Sequence, residues 1–457
     1  MTRDLRHVLY ERRKLAMKPN IVIFLADDLG YDDLSCYGSV LHKTPNIDAL
    51  ARDGIRFTDC HSNGCMCSPT RAGLLTGRYQ QRSGVEYCLS HDPAKSRSRG
   101  MPPDELTFAH LFKGADYATG MFGKYHTGYI PYQSPRKMGF DIYRGNNGGM
   151  DHHSRFDRWG EGSWYHNETL VEEEEGYSTE LITEHALDFI DLHRKEPFLL
   201  YVADWMVHFP WQGPDDPADF GKGVDNSSLE RKYGSVVDRK RAYREMVEAM
   251  DGSVGRITGH LAELGLAENT FFFFASDNGG HELICDNRPL NGAKGSLLEG
   301  GHRVPAVASW PGRIREGVET DETVMLLDLF PTILDIASIP RPQNRQLDGV
   351  SLLPMMKGED RLPDRFLFWR EGDQLAVRDG PWKLVVHRSG RGLYNLDDDL
   401  GETRDLSSTY AERVAAMRKE FENWCRDVDA DRRASEGKVE VGKQSAQVSQ
   451  ARLEPTS

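Results

Sequence analysis

The chain has 457 residues, enough for a large core and two domains, and its 71 acidic against 57 basic residues give a net charge of −14. This acidic balance argues against a general nucleic-acid-binding protein, which needs a basic face. The seven cysteines are irregularly spaced and predict no disulfide framework, and no stretch is apolar and long enough to cross a membrane.

The N-terminal residues 1–18 are basic and polar, without the apolar core of a signal peptide, so the sequence predicts a cytoplasmic protein. Met17 directly precedes the first predicted strand and is an alternative start to Met1. Export stays open if the true N-terminus lies elsewhere. Neither a nucleic acid nor a membrane is an expected partner.

Two predicted strands end in groups of oxygen ligands. Residues 21–26 form a continuous apolar run, typical of a strand that is buried on both faces, and residues 269–276 repeat the pattern. The residues that follow these two strands are Asp27, Asp28, Asp277 and Asn278. Alone, each pair is equally typical of a solvated turn. Side by side, the two strands bring four oxygen ligands together, which suits Ca²⁺ or Mg²⁺ rather than zinc.

Residues 65–77 predict a loop that turns into a short helix just after Cys67. Pro69 suits the first position of that helix, where its missing N–H leaves no hydrogen bond unmade. A thiol just before a helix start lies near free backbone N–H groups, and Arg71 adds a full positive charge one turn on. This combination attracts an anion and activates a nucleophile. A buried cysteine before an ordinary helix is the alternative interpretation.

Further side chains with catalytic chemistry lie near predicted strand ends or between glycines. Lys124 and His126 are two residues apart in extended chain, which places both on one face. His208 follows the strand predicted at residues 198–203, and a packing histidine is its alternative interpretation. Lys294 lies between glycines, which allow a bound anion to approach closely.

Residues 139–176 form a long irregular segment, and such a segment inside a compact domain is usually functional or disordered. Its aromatic stretch, residues 151–166, predicts either the wall of a sugar pocket or a surface loop that its aromatics hold in place. A second metal site is disfavoured here, because the His and Asp residues have no fixed spacing. Residues 172–175 predict a solvated charge run, and Glu299 with Arg303 predicts a structural ion pair.

From about residue 356 the pattern changes to short strands joined by Gly and Asp turns, followed by a helix over residues 410–428. The sequence therefore predicts a large first domain at residues 18–355 and a small antiparallel sheet with a helix at residues 356–428. Residues 429–457 are polar and poor in apolar side chains, and we expect them to be disordered.

The cysteine loop resembles the signature of the type I sulfatases, in which a Cys-x-Pro-x-Arg motif directs oxidation of the cysteine to formylglycine. Other elements resemble those of the same family at residues 117–128, 208–210, 276–279 and 292–305, and the resemblance covers roughly residues 20–405. The sequence departs from the usual family pattern at Cys65, Thr70, Asp116, Phe122 and Val207. The resemblance implies the alkaline phosphatase-like α/β fold, a large mixed sheet flanked by helices, with residues 18–355 as the catalytic domain.

The resemblance also implies hydrolysis of a sulfate monoester and a set of site residues. The implied metal ligands are Asp27, Asp28, Asp277, Asn278 and the modified Cys67, with Ca²⁺ preferred over Mg²⁺. The implied catalytic residues are Cys67, Arg71, Lys124, His126, His208 and Lys294. One hydroxyl of a hydrated formylglycine would attack sulfur, and the second, deprotonated by His126, would expel sulfate. His208, with Lys294, would protonate the leaving oxygen.

The implied partners are a sulfated small molecule or saccharide and a maturation enzyme that generates formylglycine. A carbohydrate substrate is preferred because of the aromatic stretch at residues 151–166. One alternative is a phosphonate monoester or phosphodiester hydrolase, since phosphorus esters need the same metal and cations. The other is a catalytically silent protein that binds sulfated glycans and keeps Cys67 unmodified.

Overall fold

The computed structural model describes residues 18–90, 100–228, 231–387 and 390–451. The alternative starts at Met1 and Met17 and the end of the predicted tail, residues 452–457, lie outside these ranges. None of the helices in these ranges combines the length and the apolar character that a membrane crossing requires.

The strands of the described chain are β1 (Asn20–Ala26), β2 (Ile55–Phe57), β3 (Cys60–His61), β4 (Ala118–Gly123), β5 (Ile142–Asn146), β6 (Trp164–His166), β7 (Thr169–Leu170), β8 (Phe198–Ala203), β9 (Thr270–Ser276), β10 (Ala306–Ser309), β11 (Val318–Thr320), β12 (Val324–Met325), β13 (Phe366–Glu371), β14 (Gln374–Asp379), β15 (Trp382–His387) and β16 (Gly390–Asn395). The α-helices are α1 (Pro45–Arg52), α2 (Cys67–Thr76), α3 (Phe108–Gly114), α4 (Ser178–His193), α5 (Arg239–Glu263), α6 (Glu299–His302), α7 (Leu329–Ala337), α8 (Leu353–Lys357) and α9 (Ala411–Ala451).

Within the described ranges, ten strands form the main sheet in the order β11-β2-β10-β9-β1-β8-β4-β5-β6-β7. Its centre is parallel, with β1 between β8 and β9 and with Ile23 opposite both Tyr201 and Phe273. β10 and β6 run antiparallel to their neighbours, so the sheet is mixed. Because β9, β1, β8 and β4 are parallel, their carboxyl ends lie along one edge, where α/β sheets hold their ligands.

Helices cover both faces of this sheet, which explains why β1 is apolar at every position. Alternate residues of a strand point to opposite faces. Ile23 belongs to a core shared with α2, α3 and α7, whereas Phe24 belongs to a core shared with α4 and α5. The predicted large mixed sheet flanked by helices is confirmed.

The small C-terminal unit is an antiparallel sheet in the order β13-β14-β15-β16, packed against α9, as predicted. Its attachment to the main domain includes aromatic contacts, because Trp369 on β13 stacks on His302 with ring centroids 4.2 Å apart. The domain boundaries at residues 355 and 428 stay predictions.

Residues 429–451 are helical, contrary to the expectation of a disordered tail from residue 429, because α9 continues to Ala451. Acidic residues near the middle of α9 pair with arginines of the body. Arg370 Nη2 lies 2.8 Å from Asp429 Oδ1, and Arg82 Nη1 lies 3.5 Å from Asp431 Oδ2. Composition alone does not reveal these pairs, because their arginines are distant in sequence.

A buried ion-pair cluster joins the main domain to the C-terminal sheet. Lys383 Nζ on β15 lies 2.9 Å from Glu299 Oε1 and 2.9 Å from Glu402 Oε1, and all three side chains are fully buried. Arg303 Nη1 lies 3.3 Å from Glu299 Oε2, which confirms the predicted structural pair. Burial raises the pKa of Glu299, but the neighbouring cations, Lys383 first among them, have the larger effect. The pKa of Glu299 therefore lies well below its ordinary value, which favours the ionised carboxylate.

Replacing Lys383 with methionine should reduce the free energy of unfolding by about 3–5 kcal/mol, because two buried carboxylates lose the cation between them. Urea titration of the variant measures the loss. Lys419→Met on the exposed face of α9 is the matched control and should change the free energy of unfolding by less than about 0.5 kcal/mol. Equal stabilities for the two variants would contradict a role for the cluster.

Candidate active site

The two oxygen-rich turns predicted from the sequence lie side by side at the carboxyl edge of the main sheet. They meet because β1 pairs with β9 in parallel, with Ala26 opposite Ser276. The Asp28 N–H donates to Asp277 Oδ1 at 3.3 Å, and Asn278 Nδ2 donates to Asp28 Oδ1 at 2.8 Å. Asp28 has a φ of +64°, a left-handed conformation that is strained for a non-glycine residue and is concentrated at functional sites.

The residues of these turns fit a hard cation. The ligand atoms of Asp27, Asp28, Cys67 and Asp277 lie within 4.8 Å of one another, and all four residues are buried. Asn278 Oδ1 is buried beside them, without a hydrogen-bond partner in the part of the chain that the structure describes. Carboxylate oxygens together with an unpaired amide oxygen form the kind of ligand set that binds Ca²⁺ or Mg²⁺.

Three buried or nearly buried cations oppose the carboxylates. The pairs are Lys124 Nζ with Asp27 Oδ2 at 2.6 Å, Lys294 Nζ with Asp28 Oδ2 at 2.6 Å, and Arg71 Nη2 with Asp277 Oδ2 at 2.8 Å. The side chains of Arg71 and Lys124 are fully buried, whereas 11 % of the Lys294 side chain is exposed. Lys294 is therefore the cation of the three that faces incoming substrate.

Cys67 is the first residue of α2, directly after Met66, and it is buried. Its Sγ lies 3.4 Å from Asp27 Oδ1, within the carboxylate group. Burial raises the pKa of the Cys67 thiol well above its ordinary value, and the Asp27 carboxylate raises it further. Burial and Asp27 therefore oppose the activation expected from the helix start, and the catalytic role of Cys67 stays a prediction.

The end of β4 delivers Lys124 to the site. Gly123 has a φ of +108°, and a Cβ there would lie 2.0 Å from the carbonyl oxygen of Ala203, so glycine is required. The Lys124 ammonium lies 4.6 Å from the ring centroid of Trp205, a cation–π contact. Arg71 Nη1 donates to the Lys124 carbonyl at 2.8 Å, which ties the cysteine helix to this strand.

His126, two residues beyond Lys124, also has a left-handed backbone, with a φ of +50°. Its Nε2 lies 3.2 Å from the carbonyl oxygen of Leu89. A neutral ring that donates Nε2–H to this carbonyl carries its proton-accepting lone pair on Nδ1. The hydrogen bond therefore sets the tautomer that a general base needs.

His208 packs on an aromatic side chain and also faces the carboxylates, and its catalytic role stays a prediction. Its ring stacks on Trp205 with centroids 4.4 Å apart. Its Nδ1 donates to the Phe209 carbonyl at 2.7 Å, and its Nε2 lies 3.7 Å from Asp28 Oδ2. Burial lowers the pKa of His208 well below its ordinary value, and the Lys294 ammonium lowers it further.

A cavity of about 420 Å³ opens over Cys67, with His126, His208 and Lys294 in its wall. Trp159, from the aromatic stretch of residues 151–166, also lines it. Other wall residues had no sequence motif to mark them, namely Arg158, Trp205, Phe209, Phe220 and His281. These side chains come from separate loops, and only the folded sheet brings them to one place.

The remainder of the aromatic stretch holds the long loop in place instead of lining the cavity. Trp164 is fully buried, and Glu174 accepts hydrogen bonds from both Trp164 and His166. Burial alone would raise the pKa of Glu174. Hydrogen bonds from His185, Trp164 and His166 outweigh this effect and lower the pKa to about 2. Residues 172–175 are therefore not simply a solvated charge run, because Glu174 is a structural anchor.

The donor atoms of His166, Glu174 and His185 lie within 4.8 Å of one another, the spacing of a possible metal group. However, Arg144 Nη1 donates to His185 Nδ1 at 2.8 Å, which leaves the ring proton on Nε2, directed at Glu174. The Arg144 guanidinium beside His185 and the proton on His185 Nε2 both oppose metal binding, so these side chains form an ion-pair cluster rather than a metal site.

The structure accounts for three of the five positions that depart from the usual family pattern. Asp116 has a φ of +60°, which glycine adopts freely and Asp tolerates better than most residues. Phe122 is buried and packs on Phe189, with ring centroids 5.8 Å apart. The Val207 N–H donates to the Asp27 carbonyl at 2.6 Å, which fixes the loop of His208 against the metal-ligand turn.

Comparison with known proteins gives matches over most of the chain. The model of the sulfatase family matches residues 19–339, and a model described as N-sulphoglucosamine sulphohydrolase, C-terminal, matches residues 293–426. N-acetylgalactosamine-6-sulfatase of Canis lupus familiaris is 34% identical over 388 residues, covering 80% of this chain and 71% of the relative. Arylsulfatase G of Rattus norvegicus is 33% identical over 489 residues, covering 91% and 88%.

Among solved structures, Ps i-CgsB in complex with k-i-k-neocarrahexaose superposes with a TM-score of 0.78 at 32% identity. The match covers 89% of this chain and 93% of that chain. The two family models together span residues 19–426, which include both the main sheet and the sheet of the small C-terminal unit.

Proposed function

Since the chain belongs to the sulfatase family and is a sulfuric ester hydrolase, we propose that it hydrolyses a carbohydrate sulfate monoester through a formylglycine at position 67 beside a divalent cation. One observation carries the proposal. Cys67 Sγ lies 3.4 Å from a carboxylate of the oxygen-rich cluster, at the base of a cavity with cations in reach. That is where a nucleophile, a cation and a sulfate group have to meet.

Asp27, Asp28, Asp277 and Asn278 are the residues that would hold the cation, with residue 67 next to them. A bound Ca²⁺, which we prefer to Mg²⁺, would polarise the sulfate group and neutralise its charge. Arg71 orients Asp277 through its 2.8 Å contact and stays within the protein interior. Lys124 and Lys294 supply the remaining positive charge that a sulfate ester requires before a nucleophile can approach it.

Formylglycine would supply, as its hydrate, two hydroxyls on one carbon, so the site has both a nucleophile and a means of releasing sulfate. The protonated, deeply buried Cys67 thiol is a poor nucleophile, which supports modification of this position. The modification needs a maturation enzyme as partner.

The two histidines divide the proton transfers in this proposal. His126, with its Nε2–H held by Leu89, accepts a proton at Nδ1 from the hydroxyl at position 67. In this proposal His208, stacked on Trp205 and lining the same cavity as Lys294, assists proton transfer to the leaving oxygen. The neutral His208 ring keeps its one proton on Nδ1, bonded to the Phe209 carbonyl, so Nε2 can donate only after the ring gains a second proton, whereas the Lys294 ammonium already carries a proton to give.

Replacing His126 with alanine should leave the release of the first alcohol nearly intact and slow the steady state by about 10²- to 10⁴-fold, because the second proton transfer loses its base. Stopped-flow measurement with a chromogenic aryl sulfate should show a burst of one alcohol per enzyme, followed by slow turnover. Equal slowing of the burst and the steady state would contradict this role.

A carbohydrate is supported by the cavity wall and by the relatives. Trp159, Phe209 and Phe220 give the cavity the apolar faces on which sugar rings stack. The relatives include an N-acetylgalactosamine-6-sulfatase, and the superposed structure holds k-i-k-neocarrahexaose. The phosphonate and phosphodiester alternative uses the same cations and metal, so only comparative rates separate it from the sulfatase.

The first test is the mass of the tryptic peptide of residues 57–71, from protein made in its native host or with a maturation enzyme. A thiol-to-aldehyde change, together with higher kcat/KM on sulfated sugars than on aryl phosphonate esters, would support the proposal. An unmodified thiol in protein that binds sulfated glycans without hydrolysis would instead favour the silent binding protein. Higher kcat/KM on phosphonates would favour the alternative hydrolase.

A further inference from the structure

We propose that Arg158, stacked on Trp159, is a second anion-recognition point in the cavity, which binds a carboxylate or a second sulfate on the saccharide. This inference rests on the proposed function and deepens it, because it narrows the substrate to a saccharide with at least two negative charges. The group at position 67 acts on one sulfate, and Arg158 recognises the other anion.

Arg158 and Trp159 line the same cavity as Cys67 and Lys294. The guanidinium carbon of Arg158 lies 4.1 Å from the ring centroid of Trp159. Stacking on an aromatic face holds the plane of a guanidinium and leaves its edge N–H groups for in-plane acceptors. Carboxylates and sulfates are such acceptors, because two of their oxygens match two parallel N–H groups.

Arg158 makes no ion pair in the part of the chain that the structure describes, and its Nε is buried there without a hydrogen-bond partner. The carboxylates of Asp157 and Asp225 act on its charge only from beyond ion-pair distance. The adjacent carboxylate is engaged elsewhere, since Asp157 Oδ1 accepts the N–H groups of Trp159 at 2.8 Å and Glu161 at 3.0 Å. Burial lowers the pKa of Arg158, as it does for a cation without a close counterion. A half-buried unpaired cation in a substrate cavity calls for an anionic ligand.

The turn that carries Arg158 is fixed on both sides, so the cation is preorganised. The Asn226 N–H donates to the Arg158 carbonyl at 2.6 Å, and the Gly223 N–H donates to the Gly160 carbonyl at 2.9 Å. These bonds clamp the turn against the segment around residues 221–226. A cation held in this way loses little conformational entropy on binding.

The other charged groups of the cavity are of both signs, so recognition of the second anion depends on Arg158. Lys294 already faces Asp28 at 2.6 Å, and Glu282 lines the opening. The wall is therefore not a uniformly positive surface that would attract any polyanion. Arg158 should instead discriminate between substrates by the presence of one additional anion at a fixed distance from the reacting sulfate.

The test compares wild-type and Arg158→Ala enzymes, both loaded with Ca²⁺ and verified as formylglycine-containing, on three disaccharides. The first carries one sulfate on neutral sugars, the second one sulfate and one uronate carboxylate, and the third two sulfates. We expect Arg158→Ala to lower kcat/KM for at least one doubly charged substrate about 10- to 100-fold more than for the singly charged one, mainly through KM. The larger loss tells which anion Arg158 binds. Arg158→Lys, which keeps the charge without the planar fork, should give an intermediate loss.

Arg313→Ala is the matched control, because it removes one positive charge from an Arg–Trp contact of 5.9 Å outside the cavity. For each doubly charged substrate, it should leave the ratio of kcat/KM to the value for the singly charged substrate within about twofold of wild type.

If Arg158→Ala lowers kcat/KM equally for all three substrates, the residue is only a loop anchor and the inference is overturned. If verified wild-type enzyme hydrolyses none of them but hydrolyses aryl phosphonates, the proposed function falls and this inference with it. Melting temperatures of Arg158→Ala and Arg158→Gln separate a folding defect from a change of selectivity.

Discussion

Replacing Cys67 with alanine should lower kcat/KM for a sulfate ester by at least about 10⁴-fold, because the proposed nucleophile is removed. The enzyme should still fold, since Cys67 contributes one small side chain at the start of α2. Steady-state kinetics on an aryl sulfate and the melting temperature measure the two effects separately.

Cys65→Ala is the matched control for this prediction. Cys65 is a second buried thiol on the same loop, and its backbone carbonyl rather than its sulfur makes the contact to Gly295, at 2.9 Å. Cys65→Ala should retain kcat/KM within about threefold. A Cys67→Ala enzyme that keeps a tenth of the wild-type rate would show that residue 67 is not the nucleophile. Cys67→Ser has one hydroxyl where the proposed hydrate has two, and it should release at most one alcohol per enzyme.

Replacing Asp28 with asparagine should weaken Ca²⁺ binding by at least about 100-fold and lower kcat by about 10³-fold. The substitution keeps the shape of the side chain but removes one of the negative charges that would hold the proposed cation. Calorimetric titration of chelator-treated protein measures the affinity. Wild-type protein at a Ca²⁺ concentration 100 times the dissociation constant should gain about 2.7 kcal/mol of stability, and Asp28→Asn should gain much less.

Asp32→Asn is the control for the second prediction, because Asp32 lies on the same turn and carries the same charge but is not one of the clustered ligands. Its Ca²⁺ affinity should stay within about twofold of wild type. Equal weakening by both substitutions would show that the turn attracts the cation only through its overall charge.

Much of the fold follows from local patterns in the sequence. The apolar runs of β1 and β9 are buried on both faces, and a strand of this type has to lie in the middle of a covered sheet. Because both strands end in oxygen donors, their parallel pairing was enough to predict the meeting of Asp27 with Asp277. Arg71, Lys124 and Lys294 reach the same place, as the family resemblance implies, although their catalytic roles stay predictions.

The features that sequence reasoning missed depend on contacts between distant segments. Glu174 in an acidic run looks solvated until β6 and α4 bring His166 and His185 to it. The cavity wall is another such case, since Phe209 and His281 meet there only after β8 and β9 are in place. The effect of burial on the Cys67 thiol was also not foreseen, because the helix start is a local signal and burial is not.

The burial of Cys67 constrains when this residue can be modified relative to folding. Only 1 % of this residue is exposed, and the helix that begins with it packs in the core beneath the main sheet, together with α3 and α7. No second protein can reach its sulfur without opening that packing. A chain that acquires formylglycine must therefore do so while it is still being synthesised or before it folds, and folding speed sets the time available. Stabilising substitutions that accelerate folding would then yield more folded protein with a smaller fraction of it matured.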